Sequence, residues 1–167
     1  MQFFVKERYN NAPFQRNEVI LQQYIGIINV HKQIKRCNMK KIRAAIVGYG
    51  NIGHFTLEAL EAAPDFEIAG IVRRQGDKDK PLALTPYTVV DDIKKLKDVD
   101  VAILATPTRK CPEYAEAITA MGINTVDSFD IHTSILDYRT RQMQNNKKTN
   151  TVSVIAAGWD PGSDSVV

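Results

Sequence analysis

Apolar residues change their spacing repeatedly along the chain, and each change marks a new predicted element. Short, nearly uninterrupted apolar runs predict strands, of the kind that a parallel sheet buries on both faces. Segments whose apolar residues recur every three or four positions predict helices. The predicted strands are residues 42–47, 66–72, 87–90, 99–105, 123–126 and 151–156, and the predicted helices are residues 51–63, 91–96, 112–121 and 131–146. This alternation predicts an α/β fold, a Rossmann-type doubly wound and mostly parallel sheet.

A glycine motif lies between the first predicted strand and the first predicted helix. Gly48, Gly50 and Gly53 fit G-x-G-x-x-G, in which the first glycine makes the turn, the second admits a pyrophosphate and the third allows close helix packing. Free N–H groups and the helix dipole would hold the anion there. Glycines also make ordinary turns, but the flanking strand and helix favour a dinucleotide site. Its predicted residues are Gly48, Tyr49, Gly50, Asn51, Ile52 and Gly53.

The second predicted strand ends in Val72-Arg73-Arg74, about 20 residues after the last glycine of the motif. An NAD enzyme places Asp or Glu there, on the ribose 2′-hydroxyl. An arginine can instead grip a 2′-phosphate with two hydrogen bonds and stack on adenine. The sequence therefore favours NADP over NAD, and the alternative is a solvated arginine pair at a strand end.

Polar side chains follow three further predicted strands, at the sheet edge where open α/β sheets bind ligands. Thr106 and Thr108 could line the cofactor or cap the next helix. Asp127, Asp130 and Asp160 are not spaced as metal ligands, and an acidic rim suits a cationic substrate such as an ammonium group. The segment 160–162 could equally be a plain turn. The strand-end segments are Ala105, Thr106, Pro107 and Thr108, then Ser128, Phe129 and Asp130, then Ala157, Gly158, Trp159, Asp160 and Pro161.

Composition narrows the function classes further. The 167 residues suffice for about one domain, and 44% hydrophobic content is enough for a core. A net charge of +3, with scattered basic residues, argues against nucleic acid and membrane partners. No apolar run is long enough to cross a bilayer. Cys37 and Cys111 form no redox or zinc pattern and the three histidines lack metal-ligand spacing, so no metal is expected and a cytoplasmic location fits.

Residues 1–38 differ from the rest of the chain. They combine aromatic residues and an interrupted Ile/Val run with many Asn and Gln, and the sequence Met39-Lys40-Lys41-Ile42 resembles a natural protein start. No small-residue cleavage site follows the apolar run, so the segment is not a secretory signal, and Glu7 and Glu18 disfavour a mitochondrial presequence. We expect a non-catalytic extension at residues 1–38 and an NADP-binding domain at residues 39–167.

Five segments together resemble the meso-diaminopimelate dehydrogenase family. The resemblance covers residues 39–167 almost without a gap, and its Gly-Trp-Asp-Pro-Gly element is far more specific than the glycine motif. The segments are residues 48–53, 73–74, 106–108, 126–130 and 158–162. His54 departs from the family, in which this position is more often arginine.

The resemblance implies an activity and a set of residue roles. The family oxidatively deaminates the D-centre of meso-2,6-diaminopimelate with NADP, giving ammonia and L-2-amino-6-oxopimelate. The second product cyclises to tetrahydrodipicolinate. The reverse reaction serves lysine and cell-wall synthesis. By resemblance, Asp130 and Asp160 face the substrate amine and carboxylate end, Trp159 helps enclose both ligands, and the strand-end segments line NADP. Members are longer, with a C-terminal substrate and dimerisation domain. We therefore expect this chain to be the cofactor half of a homodimeric enzyme. By itself this half should bind NADPH without turnover.

Two alternatives remain open from the sequence. One is another NADP-dependent Rossmann dehydrogenase or reductase of the aspartate and lysine pathway, such as a dihydrodipicolinate reductase, whose substrate would be a cyclic imine. The other is a non-catalytic module that senses NADP. Substrate specificity distinguishes the first, and lack of turnover in a longer protein distinguishes the second.

Overall fold

The computed structural model describes residues 40–158, which form a six-stranded parallel sheet with helices on both faces. The strands are β1 (Ile42–Val47), β2 (Phe66–Val72), β3 (Val89–Val90), β4 (Val101–Leu104), β5 (Asn124–Asp127) and β6 (Ser153–Val154). The helices are α1 (Asn51–Ala62), α2 (Cys111–Thr119) and α3 (Ile135–Thr149). Short 3₁₀ turns lie at Leu82–Leu84, Ile93–Lys95, Thr108–Lys110 and His132–Ser134.

The strand order is β3-β2-β1-β4-β5-β6, and every neighbouring pair is parallel. This order arises when two successive strand–helix–strand halves wind outward from the centre of the sheet. The direction of winding reverses between β1 and β4, so the carboxyl ends of these strands border a crevice. The predicted Rossmann-type doubly wound sheet is confirmed.

Successive residues of β1 supply two separate cores, because side chains alternate between the faces of a strand. Ala44 and Ile46 pack on one face with Leu57 and Leu60 of α1. Ala45 and Val47 lie on the opposite face, in the cluster that includes buried residues of α2 and α3. Since both faces are covered, β1 is almost entirely apolar, as the sequence pattern indicated.

A buried polar network attaches α3 to its neighbours, which explains how so polar a helix packs. The side-chain nitrogen of Gln142 donates to Oγ1 of Thr119 in α2 at 3.0 Å and to Oγ of Ser153 in β6 at 3.1 Å. Gln142 and Thr119 are both fully enclosed. Hydrogen bonds thus offset part of the cost of burying these polar groups. Within residues 40–158 no helix is long and apolar enough to span a membrane.

Several predicted boundaries were wrong. The strands predicted at residues 87–90 and 151–156 shrink to β3 and β6, which pair on one side only in the described part of the sheet. The helix predicted at residues 91–96 is the single 3₁₀ turn Ile93–Lys95, capped by Asp92 through a 2.9 Å bond from the Lys94 N–H. The helix predicted at residues 131–146 starts later, at Ile135, and continues to Thr149, where Asn150 ends it in a left-handed conformation.

Candidate functional site

Close backbone contacts require glycine at Gly48, in the turn after β1, and at Gly53, in the first turn of α1. Gly48 has φ +100°, and a Cβ there would lie 2.4 Å from the carbonyl oxygen of Ala105 at the end of β4. A Cβ on Gly53 would lie 2.3 Å from the carbonyl oxygen of Gly48. Any side chain at either position would therefore push α1 away from the sheet.

Gly50 differs from these two glycines, because a Cβ there would meet nothing within 4 Å. It precedes the first residue of α1, and neither a capping side chain nor an acidic first-turn residue occupies this helix end. The first N–H groups of a helix have no partner within the helix, so they can bind an anion. Open space in front of unoccupied donors is what a pyrophosphate group needs, and these residues fit a dinucleotide.

The arginine pair lies directly beside this turn. The N–H of Gly48 donates to the carbonyl oxygen of Val72 at 2.9 Å, which joins the end of β2 to the glycine turn. Arg73 is half-buried and contacts the Asp79 carbonyl oxygen at 3.3 Å, while Arg74 is exposed. Neither guanidinium forms a salt bridge with another residue of the described part of the chain. Two positive charges are therefore available at this strand end.

The segment after β4 is connected to the segment after β5 by a threonine. The hydroxyl of Thr108 accepts a bond from the Asp130 N–H at 3.1 Å. The Thr106 hydroxyl lies 3.5 Å from the thiol of Cys111, whose pKa is raised by burial. No side chain caps the turn Thr108–Lys110 or α2, so the helix-cap alternative for these two hydroxyls is wrong.

Asp127 is not part of an acidic rim, and that expectation was wrong. Its side chain is 2% exposed and bonds to the Tyr138 hydroxyl at 2.6 Å and to the Phe129 N–H at 3.0 Å. Asp130, three residues later, is exposed at the sheet edge. Of the acidic side chains predicted for the rim, the described structure places only Asp130 there.

The comparisons with known proteins agree with this geometry. Residues 42–127 match the model of an oxidoreductase family with an NAD-binding Rossmann fold. The chain belongs to this oxidoreductase family. The match covers more than half of the chain and includes the glycine turn, the arginine pair and the segment after β4.

Proteins similar to this chain include several meso-diaminopimelate dehydrogenases. The chain is 66% identical over 129 residues to meso-diaminopimelate D-dehydrogenase of Bacteroides fragilis, covering 77% of this chain and 43% of that protein. A solved variant of the Clostridium tetani enzyme, with DAP, is 36% identical with a TM-score of 0.66, covering 75% of this chain and 39% of that one. An engineered D-amino acid dehydrogenase bound to NADP⁺ is 30% identical with a TM-score of 0.61, with the same coverage.

These matches confirm the resemblance to the meso-diaminopimelate dehydrogenase family. The chain spans about two fifths of the length of the curated relatives it matches, between 39% and 43%. The whole relatives' activity therefore remains a proposal for this chain.

The predicted site residues differ in how far they are exposed to solvent. Gly50, Asn51, Ile52, Arg74, Pro107, Asp130, Ala157 and Gly158 are exposed, and Ala105, Thr106, Thr108 and Ser128 are partly exposed. By contrast, the side chains of Val72 and Phe129 lie in the core, so any cofactor contact there involves backbone. Trp159, Asp160 and Pro161 lie outside the described residues, as do residues 1–38.

Tyr49 lies on the α1 face of the sheet. Its half-buried ring packs against the core on the α1 face, and its enclosed hydroxyl has no partner within the described residues. Burial raises the pKa of Tyr49, and the nearby Glu61 adds to that shift. The contact of Tyr49 with a cofactor stays a prediction.

Sequence reasoning missed one residue of the site region, Tyr138. It is 1% exposed, packs on Phe129 with ring centroids 5.0 Å apart, and donates to Asp127. Burial and the bond to Asp127 raise the pKa of Tyr138, so its hydroxyl remains a donor at neutral pH. A tyrosine in a polar helix carries no local signal of such a contact. Within residues 40–158 no group of three His, Cys, Asp or Glu side chains is placed to hold a metal ion.

Proposed function

We propose that this chain is the cofactor-binding part of an NADP-dependent meso-diaminopimelate dehydrogenase. The reaction oxidises the D-centre of meso-2,6-diaminopimelate to L-2-amino-6-oxopimelate and releases ammonia. The observation that carries this proposal is the 66% identity to the Bacteroides fragilis relative. The chain is only 30% identical to the L-aspartate dehydrogenase of Archaeoglobus fulgidus, which disfavours an aspartate substrate.

The choice of NADP rests on the end of β2. Arg73 and Arg74 stand where an NAD-specific protein has a carboxylate, and an arginine can form two charged hydrogen bonds with a 2′-phosphate. The solved D-amino acid dehydrogenase similar to this chain is bound to NADP⁺. Both observations favour the phosphorylated cofactor.

The other roles follow from the resemblance to the meso-diaminopimelate dehydrogenase family. NADP⁺ held at the sheet edge would supply the acceptor for the hydride that leaves the D-carbon of the substrate. Asp130 and Asp160 hold the substrate's ammonium group, Trp159 encloses both ligands, and the segments after β4 and β5 line the cofactor. These residues contribute position and charge, which are the protein's part of a hydride transfer. The homodimeric assembly and cytoplasmic location of the whole enzyme remain predictions.

Cofactor choice is tested by replacing both arginines, Arg73→Ala with Arg74→Ala. Each charged hydrogen bond that is lost should weaken the binding of NADPH by about 1.5–3 kcal/mol. The binding of NADH should barely change. Titrations of cofactor fluorescence measure both affinities. Arg141→Ala is the matched control, because Arg141 is exposed on α3 and pairs with Glu116. Equal losses for NADPH and NADH would contradict the assignment.

The activity needs a longer polypeptide for its test. A chimera in which the Bacteroides fragilis relative supplies the sequence after the 129 matched residues should form NADPH from NADP⁺ and meso-diaminopimelate. In that chimera Asp160→Asn should lower turnover strongly and change NADPH affinity by no more than a few-fold. Turnover with a cyclic imine or L-aspartate instead would replace the proposed substrate. Binding without any turnover would favour the sensing module.

A further inference from the structure

Asp127, the last residue of β5, joins two chain segments that both border the proposed cofactor site. One oxygen of its carboxylate accepts from the N–H groups of Phe129 at 3.0 Å and Ala156 at 3.3 Å. Its backbone carbonyl accepts from the Ala157 N–H at 2.7 Å. The segment after β5 and the segment after β6 are therefore attached to one residue.

Tyr138 of α3 provides the third hydrogen-bond donor to the Asp127 carboxylate. Its hydroxyl donates to the other carboxylate oxygen of Asp127 at 2.6 Å. In the described part of the chain Asp127 forms no salt bridge, so three hydrogen-bond donors replace a positive partner. A carboxylate buried to this degree is costly without such donors, and removing the Tyr138 hydroxyl leaves one oxygen unsatisfied.

The backbone at Ala156 shows why an anchor is needed there. Ala156 has φ +59°, a left-handed conformation that residues other than glycine rarely adopt. Backbone strain of this kind persists only where surrounding contacts hold it. The bonds from Ala156 and Ala157 to Asp127 are such contacts, and they set the direction in which the chain leaves β6.

We propose that Asp127 and Tyr138 form a positioning pair that holds residues 128–130 and 156–158 in place for the nicotinamide half of the cofactor. Neither side chain is required to touch the cofactor, because both are buried. The inference rests on the proposed NADP site. It adds to that site a residue pair that acts only on one half of the ligand, since the glycine turn and the arginines hold the other half.

Two ligands separate positioning from general stability. NADPH spans both halves of the site, whereas 2′,5′-ADP carries only the adenosine, its 2′-phosphate and one further phosphate. Asp127→Ala should lower the affinity for NADPH by about tenfold or more, while the affinity for 2′,5′-ADP stays within about twofold of the wild-type value. Tyr138→Phe should show the same selectivity with a smaller loss. Asp127→Asn should restore most of the affinity, because its amide oxygen can still accept from both N–H groups.

Amide hydrogen exchange provides the direct readout. Asp127→Ala should accelerate exchange at Ala156 and Ala157 and leave the amides of β1 unchanged. The matched control is Leu60→Ala, which removes a buried side chain on the α1 face of the sheet. A loss of general stability there should affect the two ligands to the same degree.

The outcomes distinguish this inference from the proposed function. If the unsubstituted chain bound neither NADPH nor 2′,5′-ADP, the proposed cofactor site itself would fail. If the chain bound both but Asp127→Ala weakened them equally, or left NADPH unchanged, the positioning role would be wrong. Should Asp127→Ala not fold, Tyr138→Phe decides: selective loss of NADPH affinity supports the pair, and unchanged NADPH affinity refutes it.

Discussion

The two glycines at the start of α1 should respond in opposite ways to the same substitution. At Gly53 an added Cβ would stand 2.3 Å from the carbonyl oxygen and 3.1 Å from the carbonyl carbon of Gly48. At Gly50 an added Cβ would have no neighbour within 4 Å. One added methyl group therefore tests packing at the first position and ligand access at the second.

The loss of folding free energy expected for Gly53→Ala follows from the backbone atoms that the added Cβ would meet. Overpacking of this kind costs about 1–3 kcal/mol, and alanine regains up to about 1 kcal/mol through its higher helix propensity. Because the Cβ would meet backbone atoms, the cost falls at about 2–3 kcal/mol, and the net loss of folding free energy should be about 1–2 kcal/mol. For a chain of this size that lowers the melting temperature by about 2–8 °C.

Gly50→Ala should instead preserve the fold and weaken the binding of NADPH. The residue has φ −96°, which alanine adopts without strain, so the free energy of unfolding should change by no more than about 0.5 kcal/mol. The methyl group would occupy the space through which a pyrophosphate approaches the α1 N–H groups. We expect NADPH affinity to fall by about tenfold or more.

Urea denaturation and NADPH fluorescence titration measure the two effects on the same samples. Wild-type NADPH affinity in Gly50→Ala would refute the assignment of this turn as the pyrophosphate site. Wild-type stability in Gly53→Ala would refute the close contact between α1 and the turn.

Three further outcomes are expected. Ala156→Gly should stabilise the protein by about 1 kcal/mol in urea denaturation, because Ala156 has φ +59° and glycine adopts that conformation without strain; a loss of stability would contradict this. The pKa of Tyr138 is raised in the folded state, so stability should be retained below about pH 10 and decline above it, and the decline should be shallower in Tyr138→Phe; identical pH profiles would show that Tyr138 ionises freely. Deleting residues 1–38 should leave NADPH affinity unchanged, since every predicted cofactor contact lies after them; abolished binding in a folded product would overturn their non-catalytic assignment.

The central strands and the glycine turn were predictable because their causes are local. A strand covered on both faces is almost entirely apolar, and β1, β2 and β4 lie inside or at the runs that the sequence marked. The turn at Gly48 needs a positive φ that glycine supplies most readily. Among residues 40–158, β3 and β6 each pair with one strand only, and the sequence pattern overestimated the lengths of both.

The placement of polar side chains at the sheet edge could not be predicted in this way. Asp127 and Asp130 are three residues apart and chemically identical, yet one is buried and the other exposed. The difference arises from Tyr138, which α3 brings to within 2.6 Å of Asp127. Likewise Thr108 contacts the Asp130 backbone 22 residues away rather than capping the adjacent helix.

The sequence by itself determined the order of the elements, the doubly wound class and the position of the glycine turn, since these depend on the periodicity and conformational limits of neighbouring residues. Only the tertiary structure decided which carboxylate lies at the rim and which one anchors the two segments after β5 and β6. Those assignments depend on hydrogen bonds between residues distant in the chain, and a buried acid is tolerated only where folding supplies its donors.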